Sequence, residues 1–164
     1  MTGKIERRLE EMGIVLPEPL APVADYVPFV QTGNLVFVSG QIPKVGDDIL
    51  TGHLTSDDHA VDGTTPPGSQ FDKAVGAATL CAVNILSQVK ACVGDLDRVT
   101  RVVKLTGFVN CDHTFIQQPQ IINGASGLML GVFGDAGLHS RAAVGSSSLP
   151  LGVLVEVEGV FEVA

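Results

Sequence analysis

Positive charge is in short supply: 10 Lys and Arg stand against 18 Asp and Glu, a net charge of −8 over 164 residues. Non-specific affinity for nucleic acid comes mostly from Lys and Arg neutralising phosphates, and the chain carries no basic stripe, so no nucleic-acid partner is expected. Cysteine is sparse as well. Cys81, Cys92 and Cys111 are odd in number, lack C-x-x-C spacing and sit in apolar surroundings. They read as reduced core thiols of a cytoplasmic protein. No apolar run approaches the ~18 residues of a membrane helix, and Glu6, Glu10 and Glu11 interrupt the segment a secretory signal would occupy. The expectation is a soluble, cytoplasmic protein with no membrane partner.

Familiar catalytic signatures are missing too. There is no G-x-S-x-G elbow, no phosphate-binding loop, no G-x-G-x-x-G after a strand and no H-E-x-x-H. Gly131, Gly134 and Gly137 have the spacing of a dinucleotide loop but end a helical pattern instead of opening one. His53, His59, Asp57 and Asp58 fit no closed metal site, so neither a metal nor a cofactor is expected. The four histidines lack partner spacing and read as surface residues.

What remains is a globular composition, 45% hydrophobic and 17% charged, in a length that suits one domain spanning residues 1–164. Low charge also hints that other subunits cover part of the surface. Residues 1–25 divide into a short amphipathic helix over 2–13, with Ile5, Leu9 and Met12 at helical spacing and Thr2 as its cap, and an extended connector holding Pro17, Pro19 and Pro22. Tyr26–Val30 and Leu35–Val38 read as a hairpin, with Gly33 and Asn34 supplying positive φ. Ser39-Gly40 follows as an exit turn or a point of close backbone approach. Ile49–Leu54 reads as a third strand, and residues 55–68 as a polar, Gly/Pro-rich loop.

From Ser69 the character changes. Ser69 with Asp72 forms a capping pair, Val75 to Cys92 track a helical stripe, and Gly94 closes it. Val99–Val109 is a β-branched run suited to a central strand, residues 119–134 a second helix opened by Pro119, and His139 begins another strand. The order predicts an α+β fold, a mixed sheet with its two helices on one face.

The C-terminal run HSRAAVGSSSLPLGVLVEVEGVFEV ends in strict alternation. Val153, Val155, Val157, Phe161 and Val163 share one face, and Glu156, Glu158 and Glu162 the other. Arg141 is a lone guanidinium among Ala, Gly and Ser. Two readings stand: a two-point seat for a small carboxylate ligand, or a cross-strand ion pair with a glutamate.

Four separated stretches, TGNLVFVSGQIP at 32–43, GDLDRVTRVVKLTGFV at 94–109, NGAS at 123–126 and HSRAAVGSSSLPLGVLVEVE at 139–158, together resemble the RidA (YjgF-like) family, in its longer branch with an N-terminal extension. The resemblance implies a chorismate-mutase-like fold and a homotrimeric barrel with ligand clefts between subunits. It implies that Arg141 binds the carboxylate of a 2-imino or 2-enamino acid and that Glu156 attends the hydrolytic water. Tyr26, Ser39 and Gly40 would wall the cleft, with Asn123 nearby. Ala143 stands where the family usually has cysteine, which argues against shared thiol chemistry. The implied activity is hydrolytic deamination without a metal, to a 2-keto acid and ammonia. Non-catalytic binding of a 2-keto acid is the alternative, and the endoribonuclease label attached to some members fits this acidic chain least.

Overall fold

In the computed structural model, residues 3–21, 25–60 and 64–164 are described. The elements run α1 (Lys4–Glu11), β1 (Phe29–Thr32), β2 (Leu35–Gln41), β3 (Lys44–Val45), β4 (Asp48–Ile49), α2 (Gln70–Val93), β5 (Val99–Asn110), α3 (Gln118–Phe133), β6 (Ser140–Ser146) and β7 (Val155–Val163). Five strands form one sheet in the order β1-β2-β7-β5-β6, and β3 and β4 make a separate small hairpin. Within the five-stranded sheet, the β5–β6 pair is parallel and the other pairs antiparallel, as the α3 crossover between β5 and β6 requires. The α+β arrangement follows the expected plan.

The period-two pattern of β7 sets the core. Val155, Val157, Phe161 and Val163 are buried on the face covered by α2 and α3. The opposite face of the sheet is open, and leaves Val30, Phe37 and Val144 substantially exposed. The cap signals of α2 act as read: Asp72 N–H donates to Ser69 Oγ at 3.1 Å, and Gly94 takes φ 80° at the C-terminus. By length and composition alone α2 could cross a membrane, against the reading of the apolar runs, but 56% of its most apolar window is buried.

Several boundaries differ from expectation, each for a tertiary reason. The first helix starts at Lys4, and its free N–H groups find a cap from far away: Lys4 N–H and Ile5 N–H donate to the two Asp97 carboxylate oxygens, both at 2.7 Å. Leu96 N–H donates in return to Glu6 Oε1 at 3.2 Å, so two short helical segments cap each other. Thr2, the expected cap, and Pro22 lie outside the described residues. At the hairpin only Gly33 takes positive φ (57°), not Asn34, and β1 begins at Phe29, which leaves Tyr26 in an exposed bend. The expected third strand is instead the β3–β4 hairpin followed by single bridges at Thr51 and Leu54.

The Ser39-Gly40 step is also not an exit turn. Strand β2 continues through it to Gln41, and its pairing with β7 slips from Val38↔Gly159 to Gln41↔Val157. Three steps on β2 oppose two on β7, so one extra residue bulges out. Behind the bulge, the buried Asn84 of α2 donates to the Ile42 and Lys44 carbonyls at 2.9 and 3.1 Å, and Gln88 donates to the Leu20 carbonyl at 2.7 Å. These bonds tie the irregular chain on either side of the bulge to the long helix.

Candidate functional site

Arg141 lies on β6 opposite Leu105, a buried residue of the helix-covered face, so its side chain runs along that face toward α3. There Nη1 donates to Asn123 Oδ1 at 2.8 Å and to Ser126 Oγ at 3.0 Å. A hollow of about 390 Å³ opens beside it, lined by Asn123, Ser126, Gly127, Leu130, Leu138 and His139 among others. The cross-strand ion pair does not form. Strand β7, which carries the glutamates, is separated from β6 by β5, and no carboxylate among the described residues pairs with Arg141.

His139 and Ser126 were not singled out by sequence reasoning, which set the histidines aside as surface residues. His139 Nδ1 lies 2.7 Å from the Gly137 carbonyl and Nε2 lies 3.0 Å from Ser126 Oγ. A carbonyl can only accept, so Nδ1 carries the proton of the neutral ring, Nε2 accepts from the Ser126 hydroxyl, and Ser126 Oγ in turn accepts from Arg141. The two residues are 13 apart, joined by the end of α3 and a 3-10 turn over Gly134–Gly137. Only the adjacency of the NGAS and HSR stretches to the arginine could have pointed to them.

A second hollow, of about 600 Å³, lies at the bulge. Tyr26, Pro28, Gly40, Gln41, Pro150, Leu151 and Glu156 are among its lining residues. The bulged Gly40 passes so close to Glu156 that a Cβ there would overlap the carboxylate. Burial of the half-covered Glu156 side chain, and then repulsion from Glu158, push its carboxyl above the usual range. Leu151 is the one non-glycine residue with positive φ (58°) among the described residues, and it stands exposed at the rim.

The sequence-derived residues therefore fall into two groups. Arg141 and Asn123 share the first hollow; Tyr26, Gly40 and Glu156 share the second. Ser39 turns to the open sheet face, where its hydroxyl donates to the Val27 carbonyl at 2.8 Å, and Ala143 packs against the core. Arg141 and Glu156 are two strands and three residues apart in register, about 14 Å between Cα atoms from strand spacing and rise, and they point to opposite faces. The metal candidates weighed in the 53–59 loop do not converge either. His53 bonds Asn110 and His59 bonds its neighbour Asp57, while the acids that do gather, Glu6, Asp95 and Asp97, serve as caps.

Two helices over one face of a mixed sheet, with a parallel β-α-β crossover ending in an arginine that fronts a small hollow, define an α+β protein of chorismate-mutase-like architecture. The chain belongs to the family described as "YjgF/chorismate_mutase-like, putative endoribonuclease", which matches residues 6–163. Protein TCP17 of Trypanosoma cruzi is 41% identical over 165 residues, covering 98% of this chain and 95% of that protein. Among solved structures, the Agrobacterium tumefaciens protein Atu1372, of unknown function, is 44% identical with a TM-score of 0.81, over 98% of this chain and 92% of its own. A Shewanella oneidensis MR-1 protein carrying the same endoribonuclease label is 29% identical with a TM-score of 0.86, over 98% and 100%.

Proposed function

We propose that this protein hydrolyses small reactive 2-imino and 2-enamino acids to 2-keto acids and ammonia, at sites completed between subunits of a homotrimer. The observation that carries the reading is the state of Arg141. Its guanidinium is held by two neutral acceptors, with no opposing carboxylate among the described residues, at the wall of a hollow sized for a small acid. With Nη1 committed to Asn123 and Ser126, the Nε and Nη2 donors are the pair that would meet a carboxylate in two-point fashion.

The second half of the chemistry comes from Glu156. An imine carbon is already electrophilic, so a base that orients and deprotonates a water supplies the remaining need. Water adds to C2 of the protonated imine, passing one proton to the Glu156 carboxylate as the C=N π pair moves onto nitrogen; Glu156 returns that proton to the amine of the carbinolamine, whose hydroxyl then gives its own proton to solvent as the carbonyl forms and the C2–N bond breaks to release ammonia. An upward-shifted carboxyl serves such proton traffic better than an ordinary one. Within one chain Arg141 and Glu156 are too far apart, and on the wrong faces, to hold one small substrate. A neighbouring copy that seats its bulge hollow against the Arg141 hollow supplies the missing half and covers the open apolar sheet face around Val30, Phe37 and Val144. The ribonuclease label names a different chemistry, which a net charge of −8 opposes.

The test couples an amino-acid oxidase to the protein and follows loss of the imine, with light scattering to give the assembly state. Accelerated imine loss that disappears in R141A and falls at least a hundred-fold in E156Q is expected. No acceleration over buffer, with 2-keto acids still bound, would establish the non-catalytic binding alternative, and a monomer with full activity would overturn the composite site.

A further inference from the structure

Next to the arginine lies a hydrogen-bond chain whose His139 end the proposed deamination does not use. It runs from the Gly137 carbonyl through His139 and Ser126 to Arg141, with separations of 2.7, 3.0 and 3.0 Å. Its direction is fixed at one end by the carbonyl, which can only accept. In the neutral state the Ser126 hydroxyl hydrogen is therefore committed to His139 Nε2, and none of it faces the hollow that Ser126, His139 and Arg141 line together.

We propose that Ser126 and His139 make the Arg141 hollow a proton-coupled anion seat, in which protonation of His139 turns the Ser126 hydroxyl toward a bound carboxylate. When the imidazole gains a proton, Nε2 becomes a donor to Ser126 Oγ. That oxygen then accepts from both His139 and Arg141, and its own hydrogen is released from the ring to point into the hollow. A carboxylate seated on Arg141 gains a third partner, Ser126, and a second positive charge beside it. By linkage the relation runs both ways: the bound anion favours the imidazolium, and the imidazolium tightens the anion. Proton uptake accompanies binding, and affinity rises as pH falls.

The surroundings leave the histidine as the group that can switch. Strand β6 contributes Arg141, which stays charged throughout. The turn before it contributes Asp135, and α1 lays Arg8 on the Gly131 carbonyl at 3.1 Å. Helix α3 contributes no charged residue, and Lys104 of β5 belongs to the alternate, open face of the sheet. The assignment rests on the reading of Arg141 as a carboxylate seat, and it adds two residues to that seat: Ser126 as a switching ligand contact and His139 as a positioning residue acting through it.

Titration calorimetry with 2-oxobutanoate on the full chain, from pH 5.5 to 8 in zwitterionic buffers of different ionisation enthalpy, reads both affinity and proton uptake. The probe stays ionised over that range, so uptake reports the protein. About ten-fold tighter binding at the acid end is expected, with net proton uptake on binding. H139Q, whose amide oxygen can still accept from Ser126 but cannot titrate, should bind without pH dependence. S126A should lose most of the acid-side gain. Uptake that persists in E156Q and disappears in H139Q assigns the proton to His139, and uptake that disappears in E156Q while persisting in H139Q would overturn the assignment. Pyruvate-class acids that bind with pH-independent affinity and no buffer dependence would overturn the proton-coupled seat while leaving the Arg141 reading intact. No binding at any pH would overturn both. The wild-type measurement stands even if H139Q does not fold.

Discussion

Two glycines three residues apart on α3 should respond to the same substitution with opposite signs. Replacing either by alanine removes the entropic cost of glycine in a helix interior, a gain of about 1 kcal/mol. At Gly127 that gain is unopposed, because an added Cβ meets nothing within 4 Å. At Gly124 the new methyl would fall onto the Val75 backbone carbonyl of α2 and lie 2.8 Å from Thr79 Oγ1, where the two helices cross. A backbone oxygen cannot rotate aside, and Thr79 is already bonded to that same carbonyl at 3.1 Å. The helices must separate, and overpacking of this kind costs roughly 1–3 kcal/mol. The expected net effect is stabilisation of about 1 kcal/mol for G127A and a change between about zero and −2 kcal/mol for G124A. In a chain of this size 1 kcal/mol moves the melting midpoint by roughly 2–4 °C, so the variants should differ by several degrees. Urea unfolding followed by far-ultraviolet circular dichroism reads the sign, at one fixed protein concentration because association shifts apparent stability. Equal stabilisation of both variants would refute the helix crossing at Gly124, and with it the positioning of Asn123 and Ser126 on either side.

Three further outcomes follow from the same contacts. G40A pushes the Glu156 carboxylate out of place while the backbone, which needs no positive φ there, accepts the methyl; urea unfolding should move little while imine hydrolysis drops about a hundred-fold, and G40A with E156Q should be no worse than either alone. Glu156 has its carboxyl raised by burial and by Glu158, so its folded-state penalty is absent below the unfolded value of about 4.3 and grows as pH rises through the higher folded value. E156Q should therefore match wild type near pH 4 and become progressively more stable than it toward pH 7, and a constant difference across that range would show the carboxyl to be unperturbed. Asp97 is the reverse case: the Lys4 and Ile5 N–H groups hold it below the usual carboxylate range, so its contribution is present above about pH 3.9 and fades as pH falls through the lower folded value. D97A should release α1 at neutral pH, seen as rapid hydrogen exchange confined to residues 4–11, and continued protection there would show that the distant cap is not what docks it.

Elements whose signals are local were legible. The Ser69 cap, the Gly94 stop and the alternation of β7 each act within a few residues, and each forms as the pattern implies. Elements set by distant partners were not. The cap of α1 comes from Asp97, 92 residues or more away from the N–H groups it receives. Ser39-Gly40 has the composition of a turn, yet pairing with β7 keeps it in the sheet as a bulge, and the reason for glycine there is a carboxylate far along the chain. The β3–β4 hairpin likewise depends on carbonyls that Asn84 of α2 holds in place.

The arginine shows most plainly what strand order adds to composition. From sequence, glutamates on the neighbouring segment made a cross-strand pair the ordinary fate for Arg141. The sheet places β5 between the two segments, and the alternation of β7 turns Glu156 to the face opposite the arginine. What meets the guanidinium instead is an amide oxygen and a hydroxyl from α3. Neutral acceptors fix its position without cancelling its charge, whereas a carboxylate would have done both and left nothing for a ligand. Replacing Asn123 by aspartate should therefore be more damaging to anion binding than replacing it by alanine: N123A loosens the arginine, but N123D neutralises it while keeping it in place. Calorimetry with 2-oxobutanoate distinguishes the two, and tighter binding in N123D than in N123A would mean that geometry, and not free charge, is what this hollow supplies.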